Sequence, residues 1–193
     1  LMDSRHYVIR TNEEARWRQL LGRSLAYDVY HLPEYHRLAE ERDDVAAVLF
    51  VYEEKSAFVA VPLLLRSLVG VPGLTGAEGF DATSVYGYAG PVTSEDSYTT
   101  GLSDRFSASL LNYLRSKRVV SAFSRLHPLI DQARLFTGAG DVCRVGYTVA
   151  IDLSLSEQEQ LEQYRENHRR DITKAREGGI ACVNDEGWTH LDD

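Results

Sequence analysis

The side chains best suited to chemistry fall in a few short segments. Tyr86-Gly-Tyr88-Ala-Gly-Pro91 sets two tyrosines in a glycine-rich turn, and glycine lets a loop backbone come close to a ligand. Tyr86 and Tyr88 either line a cleft or pack half-buried on the core. Arg125 and His127 follow a β-branched run, just past a strand end. Ligand groups collect there in α/β sheets, and turns held by local hydrogen bonds occur there too. Arg165, Arg169 and Arg176 fall on one side of a helical wheel at about 100° per residue. Such a row is placed to fork onto an anion such as a phosphate. With Glu162, Glu166 and Asp171 nearby, it is equally a solvated, salt-bridged face. Asp28 is a capping residue or an orienting carboxylate for a neighbouring loop or an amine.

Other chemistries find no support. The six histidines are scattered, and His31 and His36 are spaced wrongly for ligands on one helix face, so no metal site is expected. Phosphate-loop, nucleophile-elbow and zinc-helix signatures are absent. Cys143 and Cys182 are the only cysteines, too few for a disulfide framework, and are expected to be small buried hydrophobes. The 193 residues carry a net charge of −8, which argues against a broad nucleic-acid-binding face. No apolar run reaches the length of a membrane span, and Leu1–Arg10 carries charges in place of a leader's apolar stretch. A cytoplasmic protein is expected.

The elements that must position these residues follow from pattern. His6–Arg10 reads as a short strand. Thr11 to Glu14 matches a capping box opening a helix to about Leu21. A second helix starts near Pro33, with Tyr35, Leu38 and Ala39 as its apolar residues. Val45–Tyr52 and Ser56–Arg66 form a hairpin around Glu53-Glu54-Lys55. Gly70–Gly79 is a loop, and Ala82–Val85 a short strand. Phe106, Leu110, Tyr113 and Leu114 mark an amphipathic helix. Val119–Phe123 is a buried-type strand, Pro128–Phe136 a short helix or turn, and Val142–Leu153 a further strand. One long helix follows from a Ser156–Glu159 capping box, with Leu161, Tyr164, His168, Ile172 and Ala175 as its stripe and Gly178-Gly179 as its stop. Ile180–Asn184 begins another strand, and Gly187–Asp193 another helix. The order predicts an α/β fold, a mixed sheet with helices packed on its faces.

Five segments carry a resemblance. Asp28-Val-Tyr-His-Leu-Pro-Glu-Tyr35, the Tyr86–Pro91 turn, Ser124-Arg-Leu-His-Pro128, Val149-Ala-Ile-Asp-Leu153 and the run from Arg169 through Lys174 to Gly179-Ile-Ala-Cys-Val183 occur in the order seen in the FemAB-like transferases. The resemblance spans nearly the whole chain. It implies two GNAT-like halves facing a cleft, of which this chain is the amino-terminal one. Residues 1–153 would be the first GNAT-like domain, and 154–193 a linking helix plus the start of a second, whose remainder is the missing carboxy-terminal half.

The resemblance also implies an activity. Family members move an amino acid from aminoacyl-tRNA, or an acyl group from acyl-CoA, onto an amine of a cell-wall (peptidoglycan) precursor or an antibiotic intermediate. The donor is then a substrate, and no tightly bound cofactor is expected. A CoA-binding GNAT loop is not matched: Arg134-Leu-Phe-Thr-Gly138-Ala-Gly140 has one spacer too many and precedes a strand, so it reads as a turn. The first half would shape the acceptor site, with Tyr86, Tyr88, Arg125, His127, Arg165 and Arg169 binding substrate and no nucleophile assigned. The chain alone is expected to be inactive, and an incomplete second domain favours homo-oligomers through an unpaired strand edge. The competing expectations are a non-catalytic small-ligand module on the same fold and a single-domain CoA-dependent acetyltransferase.

Overall fold

A computed structural model describes residues 4–76, 78–94, 101–136 and 138–188. The chain divides into two compact units, Leu1–Val145 and Gly146–Asp193, each described by itself.

The first unit is α/β. Its strands are β1 (Ser4–Arg10), β2 (Val45–Glu54), β3 (Ala57–Ser67), β4 (Phe80–Thr83), β5 (Val92–Thr93) and β6 (Val119–Phe123). They form a six-stranded mixed sheet in the order β1-β2-β3-β4-β6, with β5 also paired to β3. All pairs are antiparallel except β4–β6. The helices are α1 (Glu14–Leu21), α2 (Pro33–Arg42) and α3 (Leu102–Ser116).

The expected hairpin is the centre of the sheet. The β2–β3 register runs from Val45↔Arg66 to Glu54↔Ala57, and Lys55 takes the turn with φ 57°. Side chains alternate between faces along a strand, so these two strands supply both cores. Val48, Phe50 and Tyr52 pack with Val59, Val61 and Leu63 against Phe106, Leu110 and Tyr113 of α3. Leu49, Val51, Phe58 and Ala60 face Trp17, Leu20 and Leu21 of α1. Ala47 and Leu64 meet Ala39 of α2 and Val85 and Ala89 of the following loop. Both faces are therefore covered, which is why β2 and β3 read as continuous apolar runs. Pro62 lies inside β3 at a point that tolerates it. On that edge β5 pairs Val59 and Ala60 and β4 pairs Leu64 to Ser67, which leaves 61–63 outside both ladders.

The hairpin tip is held by charge. Glu53 accepts from Arg5 at 2.7 Å and from Arg23 at 3.3 Å, and Glu54 from Arg105 at 2.8 Å. Burial alone would raise the Glu53 carboxyl, but the two guanidinium groups outweigh it and hold it below the usual carboxylate range.

Several expectations are corrected. The turn that opens α1 is a 3-10 turn over Thr11–Glu13, and Glu13, not Glu14, reaches back to the Arg10 N–H at 3.1 Å. Thr11 instead donates to Glu40. In α2 the buried positions are Pro33, His36 and Ala39, while Leu38 is exposed. β6 has an exposed, not a buried, pattern: it is the last strand on its side of the sheet, and Val119 is its residue packed on the core beside α3.

In the second unit the expected long helix is two, α4 (Glu157–Glu162) and α5 (Glu166–Glu177). The Ser156–Glu159 capping box does form. The break falls where Arg165 adopts an extended backbone. His168 is exposed rather than part of a buried stripe. No strand forms over 142–153 or 180–184, and Cys143 and Cys182 are exposed, not buried. The helix expected over Gly187–Asp193 shows a turn at Gly187; the rest of it, past Trp188, lies outside the described residues. Among the described residues, no helix is long and apolar enough to cross a membrane.

Candidate functional site

The parallel pair β4–β6 ends at Thr83 and Phe123, and the loops that leave these carboxyl ends carry four of the sequence candidates. Two bonds fasten the loops together: Ser84 N–H donates to the Phe123 carbonyl at 3.0 Å, and Arg125 N–H to Ser84 Oγ at 3.2 Å. A third segment, the 3-10 turn Val29–His31 capped by Asp28, joins them.

His127 is the centre of the cluster. Leu129 N–H donates to its Nδ1 at 3.1 Å, so the proton sits on Nε2, which donates to Asp28 Oδ2 at 2.8 Å. Assigning the tautomer from partners in this way leaves a neutral imidazole with both nitrogens occupied. The His127 side chain is 7% exposed, the Asp28 side chain 43%. Asp28 Oδ1 also accepts from Val29 N–H at 2.5 Å. The His127 N–H and then the Val29 amide hold the Asp28 carboxyl below the usual range, so it is ionised at neutral pH. The capping role expected of Asp28 is observed, and its second oxygen also ties the turn to the neighbouring His127 loop.

Aromatic rings gather around His127. Tyr30 lies 5.8 Å from Tyr88 and 6.5 Å from His127, centre to centre, and Tyr88 lies 6.1 Å from His127. Tyr35 meets Tyr30 edge-on at 5.6 Å. Behind them, His31 is fully buried. Its Nδ1 accepts from Asp28 N–H at 3.0 Å and its Nε2–H donates to the Gly90 carbonyl at 3.1 Å. Burial pushes this imidazole below its ordinary range. Buried Gln132 accepts from His127 N–H at 2.6 Å. An open cavity of about 380 Å3 follows the 126–133 loop, with His127 in its wall.

The glycines of the Tyr86–Pro91 turn are required by contact. Gly87 has φ 108°, and a Cβ there would lie 2.2 Å from the Tyr30 ring. A Cβ at Gly90 would lie 2.1 Å from Gln132 Oε1. Gly87→Ala is expected to cost about 1–3 kcal/mol through backbone strain and the displaced ring. Denaturant unfolding would measure it, and a loss below a few tenths of a kcal/mol would contradict the packing.

The sequence candidates separate. Tyr88 and His127 come together at the carboxylate. Tyr86 is 79% exposed and forms a second contact, with the Arg125 guanidinium 5.8 Å above its ring. Arg165 and Arg169 belong to the second unit, where both are exposed. Arg165 caps α5 from outside, so it does not continue a row along one helix face, and Arg176 is engaged by Glu157 at 2.5 Å. Tyr30 and His31 were not singled out from sequence. The signal available for them was the Asp28–His31 run itself, but their roles depend on Gly87 and Gly90, remote in sequence.

The arrangement offers a fixed, half-exposed carboxylate among π faces, next to a histidine that has no free lone pair. It can bind a cation or take a hydrogen bond from a donor, with His127 aiming the carboxylate. Among the described residues no group of three or more His, Cys, Asp or Glu is placed to hold a metal ion. In comparisons with known proteins, no family model, no curated protein and no solved structure matches this chain.

Proposed function

We propose that this chain is the amino-terminal half of a FemAB-like acyl- or aminoacyltransferase on a GNAT-like fold, and that its first domain shapes the amine-acceptor site. The observation that carries the reading is the Asp28–His127 pair among Tyr30 and Tyr88, at the carboxyl ends of β4 and β6. The sheet with helices on both faces is compatible with it. In the proposed reaction the acceptor nitrogen attacks the carbonyl carbon of an aminoacyl-tRNA ester or acyl-CoA thioester. The neutral amine forms the C–N bond, the C–O or C–S bond breaks, and the proton lost by the nitrogen ends on the leaving tRNA hydroxyl or CoA thiol. Such aminolysis needs a held amine, a held carbonyl and stabilisation of the oxyanion rather than a protein nucleophile. Domain 1–153 would hold the acceptor, and the donor would be held largely by the half beginning in 154–193. Location in the cytoplasm and homo-oligomerisation belong to the same proposal.

A second reading is a non-catalytic small-ligand module. It is favoured by one observation: both His127 nitrogens are occupied, so the site has no ready histidine base. The experiment that separates the two offers radiolabelled aminoacyl-tRNA pools and acyl-CoA to a protein carrying both halves, with amine acceptors including a UDP-sugar peptide. Transfer from either donor supports the transferase and identifies its branch. Absence of transfer from both donors, with a ligand bound, supports the module.

A further inference from the structure

We propose that Asp28, aimed by His127 and flanked by Tyr30 and Tyr88, is a binding subsite for a protonated amine. This deepens the transferase reading by naming the group that docks at the site; the bound ammonium gives one proton to solvent before its nitrogen can attack a carbonyl, and the subsite itself stands on geometry independent of turnover.

The charge argument comes first. Several other carboxylates of the first unit are matched by guanidinium groups, among them Glu14 by Arg37, Glu53 by Arg5, Glu54 by Arg105 and Asp81 by Arg66, while Glu40 is engaged by neutral donors. Among the described residues, the only ion-pair partner of Asp28 is His127. That ring is neutral in the tautomer its bonds impose, so the pair keeps a full negative charge. The carboxylate is held rather than free, since Oδ1 and Oδ2 each accept one bond from a fixed donor. Each oxygen keeps a further lone pair, and the side chain remains 43% exposed to receive a ligand.

The ring argument is separate. Tyr30 and Tyr88 meet edge to face at an interplanar angle of 82°, and their centres lie 6.5 and 6.1 Å from the His127 ring that holds Asp28. Aromatic faces attract ammonium groups, and a neighbouring carboxylate adds direct charge. The alternative occupant, an anion, is opposed by that charge. A plain apolar group would leave the carboxylate desolvated and unpaired. An ammonium therefore matches the charge of the carboxylate and the character of the rings beside it.

His127 is a positioning residue here. Its Nδ1 is pinned by Leu129 N–H, so the ring cannot turn over to offer a lone pair to Asp28. The result is a carboxylate whose direction is set by two loops.

The test is equilibrium binding by NMR, following the Tyr30, Tyr88 and His127 ring signals during titration with n-butylammonium and, separately, tetramethylammonium chloride. Acetate serves as the anionic control. Saturable shifts with both ammonium ions and none with acetate are expected. Asp28→Asn should weaken n-butylammonium about tenfold, the size of a charged hydrogen bond. Tyr88→Leu leaves the Asp28 bonds alone and should weaken tetramethylammonium severalfold, while n-butylammonium changes less. The fold of each variant is checked by its unfolding midpoint. Unchanged ammonium affinity in a folded Asp28→Asn protein overturns the proposal, as does equal binding of acetate. Ammonium binding without transfer activity sustains the subsite and sinks the transferase; transfer without ammonium binding at Asp28 does the reverse.

Discussion

Replacing Trp17 by alanine is expected to remove about 3–5 kcal/mol of folding stability, the range for large aromatic truncations. Trp17 is fully buried at the centre of the α1 face. It also stands 5.1 Å from His36, and its Nε1–H donates to the His31 carbonyl at 2.9 Å. The indole thus joins the core to the turn that carries Asp28. Truncation leaves a cavity and a carbonyl without its donor, and both add to the cost. Native stabilities are typically about 5–15 kcal/mol, so the loss is a large fraction of the total. Urea unfolding followed by far-UV circular dichroism would read it as a lower midpoint at constant slope. Trp17→Phe keeps most of the apolar area and should cost far less, chiefly the missing bond. A Trp17→Ala midpoint matching that of Trp17→Phe would contradict this account.

The second large effect is pH-dependent. His36 is fully buried; its Nδ1–H donates to the Leu32 carbonyl at 2.9 Å, and its Nε2 meets no hydrogen-bond partner among the described residues. Burial pushes the imidazole from 6.5 down to about 4. Between those values the unfolded chain binds a proton at this residue that the folded chain does not, so stability falls as pH falls. The contribution is complete above about pH 6.5 and is lost on the way to about pH 4. Each unit within that window removes about 1.4 kcal/mol, giving about 2 kcal/mol between pH 7 and pH 5 and about 3 kcal/mol in all. Glu40, the carboxylate that opposes this shift, is already engaged by Thr11 and by the Ala47 amide. His36→Leu should flatten the dependence. Urea midpoints of both proteins at pH 7 and pH 5 provide the check, and equal slopes would refute the assignment.

What the sequence made legible was whatever depends on near neighbours. The β2–β3 hairpin could be read because its runs, separated by Glu53-Glu54-Lys55, are almost continuously apolar and interspersed with valine. α3 could be read because Phe106, Leu110, Tyr113 and Leu114 share a face, and all four are buried. Misreadings arose where a distant partner decides. Thr11 has capping chemistry but spends its hydroxyl on Glu40, which lies 29 residues away. Val142–Leu153 alternates like a strand, yet a strand needs an edge to pair with, and pattern alone reports only suitability. The helix after Ser156 carries no breaker at 163–165, so its interruption left no trace in the periodicity. The candidate site was half legible. Tyr88 and His127 were named from turn chemistry, but the bond from His127 to Asp28 spans 99 residues, and the need for Gly87 appears only once Tyr30 is in place.

The hairpin has a consequence for the order of assembly. β2 and β3 are joined by Lys55 and Ser56 alone, so their pairing closes almost no chain and belongs to the fastest elementary steps of folding. Because those strands supply residues to both cores, this early step sets up surfaces for α1 and α3 alike. The β4–β6 pair is the opposite case: everything from Ser84 to Arg118 must be closed off before Asp81 can meet Ser121. Late, non-local contacts of this kind bear the loop-closure entropy last. The loops that gather Asp28, Tyr88 and His127 hang from that pair, so this corner is organised after the rest of the sheet and opens before it. Local opening there leaves the hairpin core intact, because neither of its two strands depends on the β4–β6 loops for its mutual pairing.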